Sequence, residues 1–193
     1  MYEVRVHGRG GQGVVTTAEL LSVAAFAGGR EAQAFPTFGS ERTGAPVVGF
    51  CRIDDRPIRS HEPVAEPDAV ILQDATLIGL LGVFDGLKPT GVVLVNTSWS
   101  LAELGLDLSR IACPPEHVVT IAATDLALRH LGRPLPGAAL IGAFAALTGQ
   151  VGAAEVEIAI RERFDAATAD GNVAAARAAY QVVRRQLEGA SHA

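Results

Sequence analysis

A strand, a glycine-rich turn and a helix follow one another within the first 27 residues, and this order constrains the fold more than any other feature. Residues 2–7 alternate polar and apolar side chains, which predicts a strand. Glycine occupies four of the six positions in residues 8–13, and the small, apolar residues 14–27 predict a helix that ends at Gly28. This arrangement is typical of the first unit of a parallel α/β sheet.

The rest of the chain repeats the alternation of strands and helices. Because short apolar strands alternate with helices, we predict an α/β fold with a single open, mostly parallel, Rossmann-like sheet, helices on both faces and a helical C-terminal part. No interdomain linker is visible, so residues 1–193 are predicted to form a single domain. The further strands are predicted over residues 31–35, 47–53, 68–74, 91–96 and 118–121, and the further helices over 75–84, 124–130, 138–148, 153–164 and 172–187.

Composition excludes several classes of protein. Hydrophobic residues make up 49% of the chain and charged residues 19%, which is typical of a folded domain. The net charge is −5 with scattered basic residues, so we expect no nucleic-acid binding. The longest apolar stretch, residues 138–147, is too short for a membrane span, which needs about 20 residues. Without a signal peptide, and with only Cys51 and Cys113 as thiols, the chain is expected to be cytoplasmic.

The glycines at positions 8, 10 and 13 have the spacing of a dinucleotide-binding turn. Such a turn brings the backbone close to an anion at the helix N-terminus, and Arg9 adds a positive charge. However, the acidic residue that holds the ribose is missing after the second predicted strand, where the sequence is Gln33-Ala-Phe-Pro36. Residue chemistry therefore leaves two interpretations open. The glycines bind an anion, or they only allow a tight turn and close packing of the helix on the strand.

Other polar residues give weaker signals. His7 lies beside the glycine turn, where it either makes a structural hydrogen bond or positions a ligand. Trp99 follows a predicted strand, where ligand contact and packing are both open, and Glu41 and Arg42 form either a ligand contact or a solvated pair. The histidines lack metal-ligand spacing, and we predict no catalytic residue and no metal site in this chain.

The glycine turn becomes diagnostic together with its neighbours, which resemble the gamma subunit of 2-oxoacid:ferredoxin oxidoreductases, the family that includes pyruvate synthase. The resemblance continues through residues 68–74, 95–96, 123–125, 132–134 and 140–149 and so covers most of the chain. Ser40 and Gly137 depart from the residues common in relatives, proline and asparagine. The two most diagnostic stretches are Val6-His-Gly-Arg-Gly-Gly-Gln-Gly-Val-Val15 and Ala32-Gln-Ala-Phe-Pro-Thr-Phe-Gly-Ser-Glu-Arg-Thr-Gly-Ala-Pro-Val47.

The resemblance implies a complex that converts a 2-oxoacid and coenzyme A to an acyl-CoA, CO2 and two electrons. It implies alpha, beta and ferredoxin-like delta subunits as partners, with ferredoxin or another protein as electron acceptor. Thiamine diphosphate, Mg²⁺ and 4Fe–4S clusters are expected in those partners, because this chain lacks a thiamine motif and has two cysteines where a cluster needs four. The 2-oxoacid, pyruvate-like or aryl, stays open.

Within such a complex, this chain is expected to have a structural role and to shape the access of coenzyme A. Two alternatives remain: a stand-alone NAD(P)-binding oxidoreductase and a nucleotide-binding structural module. The residues predicted to contact coenzyme A are Gly8, Arg9, Gly10, Gly11, Gln12, Gly13, Ser40 and Arg42.

Overall fold

A computed structural model describes residues 1–36 and 43–190, and the strands in these ranges form one six-stranded sheet. Three neighbouring pairs are parallel, while β3 runs antiparallel to both of its neighbours. The α/β class and the mostly parallel sheet are confirmed. The strands, in the sheet order β2-β3-β1-β4-β5-β6, are β1 (Tyr2–Arg9), β2 (Glu31–Pro36), β3 (Pro46–Asp54), β4 (Ala69–Leu72), β5 (Val92–Asn96) and β6 (Val118–Ile121).

Five α-helices lie in the described residues, and all of them contribute to a single apolar cluster on one face of the sheet. On β4, for example, Ile71 faces this cluster, while Val70 and Leu72 face the opposite one. None of these helices is long and apolar enough to cross a membrane. The helices are α1 (Val14–Ala27), α2 (Ala123–Leu131), α3 (Gly137–Thr148), α4 (Ala153–Arg163) and α5 (Ala166–Ala190).

The second face is covered by irregular segments and by two 3-10 helices of three residues each, Ala75–Leu77 and Leu108–Arg110. A third 3-10 helix, Pro115–His117, directly precedes β6. The five α-helices of the described residues therefore lie on one face only, and the prediction of helical layers on both faces is not met: the second face carries only single 3-10 turns. The α-helix predicted over residues 75–84 is wrong. Gly79 has a φ of 82°, which interrupts helical geometry, and the segment instead buries Val83 on this second face.

The start of helix α5 differs most from the prediction, for an identifiable reason. Helix α5 begins six residues before position 172, because the Asp165 carboxylate accepts a hydrogen bond from the Thr168 backbone N–H at 3.0 Å. Gly171 does not break this helix, since it allows α5 to approach α2: a Cβ there would lie 2.8 Å from the His130 carbonyl oxygen. The predicted helix over 172–187 starts directly after this glycine.

Helix α2 receives its cap from a neighbouring strand. The sequence predicts that Thr124 and Asp125 cap this helix. In the structure the N-cap residue is Ala122, whose side chain makes no capping hydrogen bond. Instead, Asn96 at the end of β5 accepts a hydrogen bond from the Thr124 backbone N–H at 3.1 Å, and its amide donates to the Thr124 hydroxyl at 2.8 Å. The same amide donates to the Gln73 carbonyl at 2.9 Å, which links the ends of β4 and β5.

Helices α3 and α5 cross with their backbones in contact. A Cβ on Gly142 would overlap the backbone of Ala176, whose Cα would be 2.8 Å away. Only glycine fits at this crossing, since backbone atoms cannot turn aside as a flexible side chain does.

Candidate functional site

The glycine loop, residues 8–13, joins β1 to α1 at the carboxyl edge of the parallel strands. Gln73 and Asp74 follow β4 at the same edge, and Asn96 ends β5. In open α/β sheets, ligands bind in the crevice outside this edge. The fold thus brings the predicted loop next to polar residues that sequence patterns alone did not indicate.

The glycine loop is closed by its own hydrogen bonds. The Gln12 side chain accepts from the Arg9 backbone N–H at 2.8 Å, and the Gln12 backbone N–H donates to the Arg9 carbonyl at 3.1 Å. Gly10 exchanges backbone hydrogen bonds with the stretch before β3, at 2.8 Å to the Ala45 carbonyl and 3.0 Å from the Gly44 N–H. The loop is therefore a fixed turn.

Asp74 joins the loop to the end of β4. Its carboxylate accepts from Arg9 Nε at 3.2 Å, from Gln12 Nε2 at 2.8 Å, and from the Thr76 N–H and hydroxyl at 2.9 and 2.6 Å. Burial raises the pKa of Asp74, but the hydrogen bonds from Thr76 and Gln12, with the Arg9 charge, outweigh it and lower the pKa overall. Arg9 also donates to the Thr76 hydroxyl at 2.8 Å and to the Gly44 carbonyl at 3.1 Å, so its guanidinium is held in the loop.

Gln73 fixes the other side of the loop. Its buried side chain donates to the Gln12 carbonyl, and its oxygen lies 3.1 Å from the buried Thr17 hydroxyl. That hydroxyl also lies 3.0 Å from the Gly13 carbonyl. Neither Gln73 nor Thr17 was predicted from the sequence, although an uncharged polar residue directly after an apolar strand is a usable signal.

Two glycines of the loop are required for different reasons. A Cβ on Gly8 would lie 2.5 Å from Val14 Cγ2 and 3.2 Å from Gln73 Cβ, so Gly8 permits the helix to pack on the strand. Gly13 has a φ of 76°, and a Cβ added to it would meet no atom within 4 Å, so its requirement is conformational. The packing interpretation thus describes Gly8 well. It does not account for Gly13, beside which the structure has unfilled space.

That open space is a cavity of about 360 Å³ beside the N-terminus of α1. No side chain of the cap residue Gly13 covers the first backbone N–H groups of α1, and these groups have no partner within the helix. The lining also includes Thr16 and Leu20 of α1, and it extends to α2, α3 and the turn between α4 and α5. Three basic residues line it, His130, Arg133 and Arg163, and none of them was predicted from the sequence to contact a ligand.

His7 differs from the structural hydrogen-bonded histidine that was one expectation. It is 5% exposed, and neither ring nitrogen has a hydrogen-bond partner in the described parts of the chain. Burial, with a smaller contribution from the nearby Arg5 charge, lowers the pKa of His7 to about 4. Its imidazole is neutral at physiological pH.

Trp99 is 59% exposed and does not line the cavity. Ser40, Glu41 and Arg42 lie outside the described residues. Within residues 1–36 and 43–190, no group of three or more histidine, cysteine or acidic side chains is placed to hold a metal ion.

Comparisons with known proteins agree with one another. The family model described as pyruvate ferredoxin/flavodoxin oxidoreductase matches residues 3–182. The chain is 45% identical to pyruvate synthase subunit PorC of Methanothermobacter marburgensis over 95% of this chain and 98% of that protein. It is 45% identical to the common gamma subunit of pyruvate/ketoisovalerate oxidoreductases of Pyrococcus furiosus, over 94% of this chain and 96% of that one. The crystal structure of pyruvate oxidoreductase subunit PORC from Thermotoga maritima superposes with a TM-score of 0.79 at 33% identity, covering 93% of this chain and 95% of the other.

Proposed function

Because the chain belongs to the pyruvate ferredoxin/flavodoxin oxidoreductase family as a gamma-type subunit, we propose that it helps to bind coenzyme A in a 2-oxoacid:ferredoxin oxidoreductase complex without itself being catalytic. The observation that carries this proposal is the uncapped N-terminus of α1 behind a rigid glycine loop. Backbone N–H groups at a helix N-terminus attract anions such as the phosphates of coenzyme A.

The eight predicted contact residues divide into two groups. The backbone of Gly8, Gly10, Gly11 and Gly13 forms the anion-facing turn, while Arg9 and Gln12 keep its shape through Asp74. Arg9 therefore acts on coenzyme A through the order of the loop more than through its own charge. Ser40 and Arg42 are proposed as additional contacts from the following loop, on the resemblance of that stretch to gamma subunits.

The redox cofactors are proposed to lie in alpha, beta and ferredoxin-like delta partners. A 4Fe–4S cluster needs four thiolates, and this sequence has two cysteines, both buried, with burial raising the pKa of each thiol. Thiamine diphosphate with Mg²⁺ would supply the decarboxylation chemistry in the partners, and a cytoplasmic location fits that assembly. We propose pyruvate or a branched-chain 2-oxoacid as substrate, following the relatives' names, with an aryl 2-oxoacid as the alternative.

The stand-alone NAD(P) alternative has less support. In the dinucleotide-binding fold, the strand beside β1 is parallel to it and ends in the acidic residue that holds the ribose. Here the neighbour on that side is the antiparallel β3, and β2 lies beyond it and ends at Pro36. A nicotinamide nucleotide would lack its usual ribose contact.

The test uses the assembled complex with three gamma-subunit variants. Gly13→Ala strains a left-handed residue beside the cavity, by about 1–2 kcal/mol, and Arg9→Gln loosens the loop. Gly149→Ala is the matched control, because Gly149 also has a positive φ, 64°, and open space around it but ends α3 away from the loop.

We expect Gly13→Ala and Arg9→Gln to raise the KM for coenzyme A several-fold. Reduction of the clusters by the 2-oxoacid without coenzyme A should stay unchanged. Gly149→Ala should leave both measurements unchanged. An unaltered KM in both loop variants, with intact assembly, would return the glycine loop to a purely structural role.

A further inference from the structure

We propose that Arg5 and His7 hold an internal water molecule between them, on the face of the sheet opposite the α-helices. Successive side chains of a strand point to alternate faces, and Val4 and Val6 belong to the apolar cluster of the α-helices. Arg5 and His7 therefore face the second layer, where the Arg5 guanidinium donates to the Val83 carbonyl at 3.1 Å. This site lies across the sheet from the cavity beside α1 and does not depend on the proposed function.

Three buried nitrogen atoms at this place have no hydrogen-bond partner within the described residues. They are Arg5 Nε and both ring nitrogens of His7, on side chains of residues that are 9% and 5% exposed. The large majority of buried side-chain polar atoms in folded proteins are paired, either with other protein atoms or with ordered water. Three unpaired nitrogens on neighbouring side chains of one strand face therefore indicate a shared occupant.

The surrounding side chains cannot supply the missing hydrogen bonds. In the sheet, Arg5 lies beside Phe50 of β3 and Val70 of β4. His7 lies beside Leu72 of β4. These three neighbours are buried and carry no hydrogen-bonding atom in their side chains. The partner of the unpaired nitrogens must therefore be a small polar molecule or ion.

The spacing of the two residues suits one bridging water. Residues two apart on a strand have Cα atoms separated by about 6.6 Å, at about 3.3 Å per residue. Two successive hydrogen bonds of about 2.9 Å span up to about 5.8 Å between their outer atoms. Because strand side chains lean along the strand, a nitrogen of Arg5 and one of His7 come within that span. The bridging water then has the two polar partners that a buried water needs.

The polarity of the hydrogen bonds favours water over an anion. Arg5 Nε only donates, whereas a neutral imidazole has one donor and one acceptor nitrogen. Burial, with the nearby Arg5 charge, lowers the pKa of His7 to about 4, so its ring is neutral at pH 7. Water accepts from Arg5 and donates to the acceptor nitrogen of His7, which an anion cannot do. The remaining ring N–H donates to a second water of the same site.

The charge of Arg5 does not require an anion either. Its guanidinium donates to the carbonyls of Val83 and Asp85 at 3.1 and 2.5 Å. Burial lowers the pKa of Arg5, and the Asp85 charge opposes this effect. The positive charge is thus already met by two backbone dipoles and a nearby carboxylate.

The test is NMR spectroscopy of the isotope-labelled full chain at pH 7. A long-lived internal water gives NOE and ROE cross-peaks of opposite sign to the protons around it, whereas surface water does not. His7→Leu identifies the ring signals of His7. Arg5→Lys replaces Nε by a methylene group and keeps the charge, and Arg52→Lys is the matched control, because the Nε of the buried Arg52 already donates to Glu3 at 2.8 Å.

We expect the His7 ring protons of the wild type to show internal-water cross-peaks, with one ring nitrogen resonating as N–H and the other as an acceptor. Arg5→Lys should lose these cross-peaks, while Arg52→Lys keeps them. Absence of the cross-peaks in the wild type, or equal intensity in Arg5→Lys, would overturn the inference. The wild-type measurement stands even if Arg5→Lys does not fold.

A chloride titration of the same sample distinguishes water from an anion. We expect the ring nitrogen resonances of His7 to be unchanged between chloride-free and chloride-containing buffer. A saturable shift of these resonances with chloride would contradict the assignment of water and identify a bound anion instead.

Discussion

Replacing Asp74 by asparagine tests whether the carboxylate holds the glycine loop in place. Asparagine keeps one carbonyl oxygen, which can still accept from the Thr76 N–H and hydroxyl. Its amide group would then face Arg9 Nε and Gln12 Nε2, which are both donors. The variant therefore loses two hydrogen bonds and the Arg9 ion pair while keeping the shape of the side chain.

The expected loss of unfolding free energy follows from these contacts. A hydrogen bond such as that from Gln12 contributes about 1 kcal/mol net. The ion pair with the partly exposed Arg9 adds less than about 1 kcal/mol because water screens it. Asp74→Asn should therefore lower the free energy of unfolding by about 1–2 kcal/mol. For a chain of this size, the melting temperature falls by about 2–4 °C for each kcal/mol.

Urea denaturation followed by circular dichroism measures this change, and Asp107→Asn is the matched control. Asp107 also caps a 3-10 helix, accepting from the N–H and hydroxyl of Ser109 at 3.1 and 2.6 Å, but it has no link to a glycine loop. We expect its urea midpoint to stay unchanged. Equal midpoints for Asp74→Asn and wild type would refute the proposed role of the carboxylate.

The same comparison gives a pH dependence with a defined sign. The pKa of Asp74 is lowered in the folded chain, so its stabilising effect is present above the unfolded pKa of about 3.9 and is lost as the pH falls through the folded value. The difference in stability between wild type and Asp74→Asn should be full at pH 7 and should shrink below about pH 4. A difference that grows on acidification would contradict the assignment.

Three further predictions concern the rest of the chain. Gly142→Ala should lower the free energy of unfolding by about 1–3 kcal/mol in thermal melts, because its methyl group meets the Ala176 backbone, whereas Gly189→Ala, with open space, should not destabilise. Cys51 is fully buried, and burial raises the pKa of its thiol, so thiol reagents should label it only after unfolding; rapid labelling of the folded chain would contradict this. The purified chain alone should contain no stoichiometric iron by metal analysis and should melt in one calorimetric transition, as a single domain does.

Sequence patterns predicted the helical face well, because local rules decide its elements. Helix α1 and strand β6 have the predicted bounds, 14–27 and 118–121, since Gly13 and Gly28 flank α1 and the polar residues 116–117 directly precede β6. The predicted helix over 75–84 failed because burial on the second face, through Leu77 and Val83, overrides a weak helical pattern. The antiparallel direction of β3 depends on pairing across the sheet, which periodicity within one strand does not report.

The candidate site was only half predictable for a related reason. The glycine loop is contiguous in sequence and has a known spacing, so it was found. The cavity is assembled from three separate stretches of the sequence, 12–20, 130–138 and 163–172, and Arg133 and Arg163 lie 30 residues apart with ordinary neighbours. The capping of α2 by Asn96 likewise joins residues 28 positions apart. Such constellations exist only after the chain has folded.

The crossing of α3 and α5 at Gly142 determines which parts of the cavity are able to respond to a ligand. Gly137 at the start of α3 and Asn172 in α5 belong to two helices whose backbones are already in contact. The wall of the cavity that these two helices form therefore cannot move inward. Adjustment is left to the connection that carries Arg133 and to the C-terminal end of α4 at Arg163, and the conformational entropy lost on binding is confined to those short segments. In hydrogen exchange, the amides of α3 should stay slow with or without ligand, while those of residues 132, 133 and 135 gain protection when a ligand is bound.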